Sequence, residues 1–229
     1  MEEKDEARSR VPLIREVTWG KSEDGYEPIT LVTGRRDIRC RYYPVAGTLF
    51  GAIWVGGVGG DWDTPARGLY PYLCDGLRND NIASLRVRFS YPANLEESVY
   101  DVLAGISFFE SQGIVRMALT GHSFGGAVVI QAAARSDSVK TVVALSTQAY
   151  GVDVVPELSP DCSILLIHGD QDTVVPSTSS HRVYTTAHEP KKLVILKGDG
   201  HNLDKSAREV EQIVHDWIIE KLSAQASAA

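Results

Sequence analysis

The chain has 229 residues, of which 43% are hydrophobic and 23% charged, and its formal net charge is -7 at pH 7. This length suffices for a substantial hydrophobic core and fits one domain, or at most two small ones. The acidic balance argues against a nucleic-acid partner, because proteins bind phosphate backbones through Lys and Arg. The densest basic segment, GRRDIRCR at residues 34–41, alternates in a way typical of an exposed strand.

The two ends of the chain are expected to lie outside the domain. Residues 1–10, MEEKDEARSR, are charged and lack the apolar segment of a secretory signal, so we expect a frayed tail there. Residues 224–229 are small or polar and are expected to be disordered. The sequence therefore predicts a single domain over residues 11–223.

Three cysteines, Cys40, Cys74 and Cys162, are too few and too widely spaced for a disulfide framework or a metal site. A reducing cytoplasm is the expected compartment, and we expect neither a metal nor an organic cofactor. No apolar run approaches the roughly 18 residues that cross a bilayer, so no membrane contact is expected.

Strand-like apolar runs recur along the chain. In order they are IRCRYYPV (38–45), TLFGAIWV (48–55), IASLRVRF (82–89), IVRMALT (114–120), VKTVVALS (139–146), CSILLIHG (162–169) and KKLVILKG (191–198). Several are almost continuously apolar, as strands covered on both faces must be. The first two runs are joined by VAG and are predicted to form a hairpin, which would give the sheet an antiparallel start.

Helix-like stretches alternate with these runs. Within residues 94–112 and again near the C-terminus, apolar residues recur on one side at a period of 3.6: Leu95, Val99, Val102, Leu103, Ile106 and Phe109, then Val210, Ile213, Val214, Trp217 and Ile218. The alternation predicts an α/β fold, with a mostly parallel mixed sheet flanked by helices on both faces. In such sheets, sites form at the carboxyl ends of the strands.

One short motif lies at such a strand end. Ser123 is the centre of GHSFG, residues 121–125, which follows a predicted strand and precedes the small-residue run GGAVVIQAAA. In a sharp strand-to-helix turn, the residues two before and two after the centre approach too closely for side chains, and the serine oxygen is lifted out. The helix N-terminus beneath it favours developing negative charge. Ser123 is therefore a candidate nucleophile, the alternative being a small residue in a glycine-rich bend.

A serine hydroxyl needs a base, and a histidine base needs an acid that sets its tautomer. His201, in KGDGHNLD, follows the strand predicted at 191–198 and should lie at the same sheet edge as the serine. Asp172, in IHGDQDTVVP, follows the strand predicted at 162–169, with Asp170 as a local rival. The order Ser, Asp, His, each directly after a strand, favours a shared site.

The motifs GHSFGG, LLIHGDQDTVVP and GDGH, in this order, resemble those of the α/β-hydrolase family over residues 38–222. Among its members, the chain is similar to small uncapped, dienelactone-hydrolase-like serine esterases, although those most like dienelactone hydrolase use cysteine at the position of Ser123. The family's acid lies four residues after a strand-end histidine, which matches His168 and Asp172. Some members place the acid after the preceding strand, where Asp153 is the alternative.

The resemblance also implies two backbone N–H donors for an oxyanion. One belongs to the residue after the nucleophile, Phe124, and the other to the loop IWVGGVGGDWD, residues 53–63. Many members carry His-Gly where this chain has Gly56-Gly57, which leaves two candidates for the second donor. Val58 is the first choice and Gly57 the next.

Two aromatic residues are candidates for binding substrate near the mouth of this site, Trp62 and Tyr150. An equally open reading of Trp62 is that it packs its loop on the domain. The glycines of that loop do not form a dinucleotide-binding motif, because Trp62 occupies the position of the third glycine in G-x-G-x-x-G.

Residues 147–161 leave too little chain for the helical cap that many family members carry between these strands. An open site favours small esters or thioesters, or a substrate held by a protein partner. The predicted function is that of a serine hydrolase acting on small carboxylic esters or thioesters through an acyl-enzyme. A small-peptide hydrolase, an acyltransferase or a lyase on the same triad are the alternatives, and a non-catalytic binding or scaffold protein is the alternative of another class.

Overall fold

A computed structural model describes residues 12–223; the tails predicted at 1–10 and 224–229 lie outside the described residues. The strands are β1 (Ile14–Trp19), β2 (Glu27–Thr33), β3 (Asp37–Tyr43), β4 (Phe50–Val55), β5 (Ile82–Val87), β6 (Arg116–His122), β7 (Val139–Leu145), β8 (Ser163–Gly169) and β9 (Lys191–Leu196). They form one sheet in the order β1-β2-β3-β5-β4-β6-β7-β8-β9.

The sheet has an antiparallel and a parallel part. Strands β1, β2, β3 and β5 pair antiparallel in turn, whereas every pair from β5 through β4, β6, β7 and β8 to β9 is parallel. Strands β5 and β8 are buried along their whole length because helices cover both faces. The predicted mixed, mostly parallel sheet is confirmed.

The helices are α1 (Leu69–Gly76), α2 (Leu95–Ser111), α3 (Phe124–Ala133), α4 (Thr178–Thr186) and α5 (Ala207–Ser223). Single turns of 3₁₀ helix span Leu77–Asp80 and Val155–Glu157. Helix α2 begins at the N-cap Asn94, whose side-chain oxygen accepts the Glu97 N–H at 3.1 Å. This cap satisfies an N–H group that has no partner within the helix.

Two apolar layers lie on the two sides of the sheet. Helices α2, α3 and α4 contribute to one layer, which includes Phe109, Val129 and Val183. Helices α1 and α5 contribute to the other, which includes Leu73 and Trp217. The helix predicted near the C-terminus is thus amphipathic as expected, with its apolar side on the sheet.

The hairpin predicted for residues 38–55 is wrong. Strand β3 pairs with β5, and β5 lies between β3 and β4. Neighbouring strands are only about 4.8 Å apart, so the short link between β3 and β4 can pass over one intervening strand. The Thr48 hydroxyl in this link donates to the Asn81 carbonyl, directly before β5. The chain then returns through α1 and places β5 in the gap.

The segment between β7 and β8, residues 146–162, contains one turn of 3₁₀ helix and no cap domain. The carboxyl edge of the sheet is therefore not covered by an insertion at this point. None of the helices within residues 12–223 has both the length and the apolar character needed to traverse a bilayer. The three cysteines are unpaired and buried.

Candidate active site

Ser123 lies on a strained turn between the end of β6 and the start of α3. Its backbone has φ 56° and ψ -116°, a conformation that costs a non-glycine residue about 1–3 kcal/mol. A Cβ on Gly121 would overlap the Gly125 carbonyl, and one on Gly125 would overlap the Gly56 carbonyl. The two glycines of the motif are therefore required by close backbone approach, and the turn presents the serine side chain at the carboxyl edge of the sheet.

The structure brings Ser123, His201 and Asp172 together. His201 Nε2 lies 3.0 Å from Ser123 Oγ, and His201 Nδ1 lies 2.7 Å from Asp172 Oδ2. Because a carboxylate only accepts, Nδ1 carries the proton and Nε2 offers its lone pair to the serine hydroxyl. The three side chains come from the loops after β6, β8 and β9, which end at one edge because these strands are parallel.

Asp172 is fixed by four hydrogen bonds. Its Oδ1 accepts the N–H groups of Val174 and Val175, each at 2.8 Å, and its Oδ2 accepts from His201 and, at 3.1 Å, from His168 Nε2. Burial alone would raise the pKa of Asp172, but these hydrogen bonds outweigh it and hold the pKa below its usual value. The carboxylate is therefore charged at neutral pH and oriented toward His201.

His168 supports the acid from beneath. It is fully buried, its Nδ1 accepts the Ser180 hydroxyl at 2.7 Å, and its Nε2 proton is shared between Asp172 and the Val175 carbonyl at 3.0 Å. Burial lowers the pKa of His168, so the ring is neutral. His168, at the end of β8, thus holds the loop that carries Asp172 through both the Asp172 side chain and the Val175 backbone carbonyl.

The rival acids have other partners. Asp170 accepts the Gly198 N–H at 2.6 Å. Asp153 forms an exposed ion pair with Arg182 at 2.7 Å. The hydrogen-bonding geometry therefore favours Asp172 as the partner of the imidazole.

The His201 loop is held by Asp199, a residue that the sequence analysis did not single out. Its buried carboxylate accepts the N–H groups of Gly200 at 2.9 Å, Ser206 at 2.8 Å and Lys205 at 3.4 Å. Burial opposes the charge, but these N–H groups hold the pKa of Asp199 below its usual value. The position of Asp199 a few residues before a helix could have indicated this role, since acidic side chains there accept the free N–H groups at the helix start.

His122, within the elbow, connects to the same loop. Its Nε2 lies 3.0 Å from the His201 carbonyl and must donate to it, which leaves Nδ1 without a proton. Within residues 12–223 this buried Nδ1 has no hydrogen-bond partner. Burial lowers the pKa of His122, so the ring stays neutral.

The two backbone N–H groups expected to bind an oxyanion, those of Phe124 and Val58, are free of partners within residues 12–223. Within the described chain, the N–H groups of Phe124 and Val58 donate to no acceptor, whereas Gly57 N–H donates to Asp63 Oδ2 at 3.4 Å. A Cβ on Gly57 would lie 3.7 Å from the Ser123 Cβ, so this loop is adjacent to the nucleophile candidate. The geometry favours Val58 over Gly57 as the second donor.

The two aromatic candidates lie in different places. The Trp62 ring packs under the Arg41 guanidinium at 4.3 Å, beside the outer strands, which favours the reading that Trp62 packs its loop on the domain. The Tyr150 side chain is 75% exposed and lines a cavity of about 760 Å³ together with Asn94, Val99 and Gln131. Neither placement assigns a substrate contact.

The arrangement is suited to nucleophilic attack at a carbonyl carbon. A hydroxyl on a strained turn faces the lone pair of an imidazole, and a charged carboxylate stabilises the imidazolium that would form. The free N–H groups can donate to a negative oxygen. Within residues 12–223, no cluster of three or more His, Cys, Asp or Glu side chains is arranged to hold a metal ion.

Curated relatives match only part of the chain. The uncharacterized protein YfhR of Escherichia coli K12 is 29% identical over a segment that covers 39% of this chain and 39% of that protein. The chain thus spans about two fifths of the length of this relative.

Similar solved structures cover more of the chain. They include a dienelactone hydrolase from Anabaena variabilis (TM-score 0.74, 17% identity, covering 87% of this chain and 100% of that one). A serine hydrolase without lid from Xanthomonas campestris has a TM-score of 0.71 at 17% identity and covers 88% of this chain and 97% of that one. At these identities the likeness shows the fold, which is the α/β-hydrolase fold without a lid.

The family model of phospholipases and carboxylesterases matches residues 104–218, half of the chain. The matched segment contains the elbow, the acid loop and the histidine loop described above. By this match and by its fold, the chain belongs to the phospholipase/carboxylesterase family of α/β-hydrolases.

Proposed function

We propose that the chain is a serine hydrolase that cleaves small carboxylic esters or thioesters through an acyl-enzyme intermediate. The observation that carries the proposal is the hydrogen-bonded series Ser123–His201–Asp172 on a strained turn. Three side chains are brought together from separate loops in the order and tautomer that proton transfer requires, which supports an enzyme over a scaffold protein.

In the proposed reaction, Ser123 Oγ attacks the carbonyl carbon while His201 Nε2 takes the hydroxyl proton. Asp172 remains a carboxylate and stabilises the imidazolium through the Nδ1–H bond. The carbonyl oxygen becomes an oxyanion, which accepts from the free N–H groups of Phe124 and Val58.

The intermediate then collapses. The carbon–oxygen or carbon–sulfur bond of the leaving group breaks, and His201 gives its proton to the departing alcohol or thiol. Water attacks the acyl-enzyme, His201 takes a proton from it, and the second tetrahedral intermediate releases the carboxylic acid and restores the Ser123 hydroxyl. Water is the only co-reactant in these steps and every other catalytic group belongs to this chain, so the proposed reaction requires no metal or organic cofactor.

The uncovered sheet edge between β7 and β8 supports the proposed substrate class. Without a cap between β7 and β8, a long acyl chain would remain largely in water, where its burial contributes little to binding. Two exposed apolar side chains belong to the loops around Ser123: Val58 is 57% exposed and Val174 is 69% exposed. They offer contacts for a short acyl or alcohol group.

The test uses p-nitrophenyl acetate and a fluorophosphonate probe. We expect Ser123→Ala to lower kcat at least about 10³-fold and to abolish labelling, since the nucleophile carries most of the catalytic advantage. Ser22→Ala, at an exposed serine, is the matched control and should change neither. Unchanged turnover in Ser123→Ala would refute the proposal, and an unlabelled, inactive wild-type chain would favour the scaffold alternative.

A panel of short esters, thioesters and amides then separates the enzymatic alternatives. A hydrolase of the proposed class should turn over esters and thioesters with kcat/KM far above that for amides. A preference for amides would favour a small-peptide hydrolase instead.

A further inference from the structure

Three arginines hold the loop that follows β4: Arg41 on β3, Arg86 on β5 and Arg88 directly after β5. Together they are called the arginine clamp. Arg88 Nε lies 3.1 Å from a carboxylate oxygen of Asp61. The guanidinium groups of Arg41 and Arg86 lie 4.3 and 5.7 Å from the centre of the Trp62 ring. Cations at these distances are attracted to the face of an indole ring.

Arg86 makes the strongest of these connections. It lies on β5, is only 3% exposed, and donates from its terminal nitrogen to the Trp62 carbonyl at 2.7 Å. Within residues 12–223 it forms no ion pair with a carboxylate. Burying a charge is costly unless hydrogen bonds compensate, and an apolar side chain would fill this position at lower cost. The burial of a cation against a loop carbonyl therefore indicates a role beyond packing.

The clamped loop reaches Ser123 through Asp63. The Asp63 carboxylate accepts the N–H of Thr64 at 2.9 Å and that of Gly57 at 3.4 Å, which joins the clamped end of the loop to its glycine end. A Cβ on Gly57 would lie 3.4 Å from Asp63 Oδ2 and 3.7 Å from the Ser123 Cβ. The position of the next N–H, that of Val58, thus depends on Asp63 and on what holds Asp63.

We propose that Arg86 is a positioning residue that, through Trp62 and Asp63, holds the Val58 N–H where it meets the oxyanion. This inference rests on the proposed function and adds a residue to it. A donor to an oxyanion acts only in the transition state, and a misplacement of about 1 Å costs up to 10²-fold in rate. Disturbing the clamp should therefore lower kcat and leave KM nearly unchanged.

The experiment compares Arg86→Met and Asp63→Ala with the wild-type chain. We expect kcat for p-nitrophenyl acetate to fall about 10- to 100-fold in both variants, with KM within about 3-fold. Inhibition by trifluoroacetophenone, whose ketone forms a tetrahedral adduct with the serine, should weaken by the same factor as kcat. The pH–rate profile should keep its shape, because His201 and Asp172 are not touched.

Arg36→Met is the control for the loss of an ion-paired arginine whose side chain is mostly buried, at 11% exposure. Arg36 binds Asp101 and Glu97 on α2, so this variant should unfold more readily without the parallel loss in kcat and ketone affinity. Asp63 is exposed, so Asp63→Ala provides the decisive result if Arg86→Met does not fold.

Two results would overturn the inference. One is a folded variant with wild-type kcat. The other is a variant that loses affinity for the planar ground-state substrate by the same factor as kcat, since a donor that acts only in the transition state should not change that affinity. Fluorophosphonate labelling of wild-type Ser123 separates this outcome from failure of the proposed function. If the wild type is labelled and Arg86→Met retains full turnover, only the positioning role is refuted. If wild-type Ser123 is neither labelled nor needed for turnover, the proposed function itself has failed.

Discussion

Replacing Asp172 by Asn should move the imidazole proton of His201 from Nδ1 to Nε2. The Asp172 Oδ1 accepts two backbone N–H groups, from Val174 and Val175, so the oxygen of the new amide must take that position. The NH₂ group then occupies the Oδ2 position, 2.7 Å from His201 Nδ1. A donor there requires Nδ1 to be the acceptor, which moves the imidazole proton to Nε2. The ring then presents a proton, in place of a lone pair, to Ser123.

The expected loss follows from that tautomer. A base with the wrong tautomer lowers kcat by about 10⁴-fold, which corresponds to about 5.5 kcal/mol of transition-state stabilisation. The side chain keeps its size and most of its hydrogen bonds, so KM and the fold should change little. Steady-state hydrolysis of p-nitrophenyl acetate and the rate of fluorophosphonate labelling measure the effect, and thermal unfolding checks that Asp172→Asn is folded.

Two matched variants test the assignment. Asp170→Asn keeps an acceptor for the Gly198 N–H, and Asp153→Asn removes only an exposed ion pair, so both should retain activity within about 3-fold. A loss below tenfold in Asp172→Asn would refute the tautomer argument. A large loss in Asp153→Asn alone would identify the acid as the one after the preceding strand.

Three further predictions concern stability, each measured by urea unfolding. Gly125→Ala should lower the free energy of unfolding by about 1–3 kcal/mol, because its methyl group overlaps the Gly56 carbonyl. Asp101→Asn should cost about 3 kcal/mol, since it breaks the 2.9 Å ion pair between the fully buried Asp101 carboxylate and Arg36. The pKa of His122 is lowered in the folded chain. As pH falls below about 6.5, this histidine therefore takes up a proton in the unfolded chain before it does so in the folded chain, and the free energy of unfolding decreases. His122→Gln should therefore reduce the loss of stability between pH 7 and pH 5, by at most about 1.4 kcal/mol per pH unit.

Each of these has a control within the chain. Gly76→Ala meets no atom within 4 Å and should be neutral or stabilising. Asp153→Asn loses an exposed pair and should cost at most about 1 kcal/mol. His181→Gln, at an exposed position of α4, should change the free energy of unfolding at pH 7 by no more than about 0.5 kcal/mol. If a control behaves like its test variant, burial or close approach is not the cause.

The parallel half of the fold was predictable because its signal is local. Strands buried on both faces, such as β6 and β8, read as continuous apolar runs, and the motifs at Ser123 and Asp172 follow them. The motif at His201 follows the apolar run of β9, which is partly exposed. Strands β1 and β2 were not predicted: β1 has no buried residue, and only Ile14 and Val17 in it are half-buried, so it lacks the continuous apolar run of an inner strand. Their position next to β3 results from backbone pairing between strands, and the residue types within one strand do not specify its pairing partner. The error at residues 38–55 has the same origin, since a short link does not show whether another strand enters the gap.

In the candidate site, the residues with a motif were predictable and those without one were not. Asp199, Asp63 and Arg86 act through backbone N–H groups or carbonyls, and such contacts leave no pattern of residue types. Arg86 meets the Trp62 carbonyl across 24 residues of sequence, through the return of β5 beside β4. Trp62 was considered for the pocket because of its place in the chain, whereas its surroundings are two arginines.

The three outer strands also affect how copies of this chain meet. Without them, β5, which is buried along its whole length, would present unpaired backbone groups and apolar side chains at the border of the sheet. Such borders recruit strands from other molecules and start aggregates. The border that β1 provides among the described residues carries the exposed charges of Arg15 and Glu16, together with the half-exposed Trp19. Because charged side chains on an edge strand disfavour pairing with a further strand, we expect the antiparallel extension to reduce edge-to-edge aggregation.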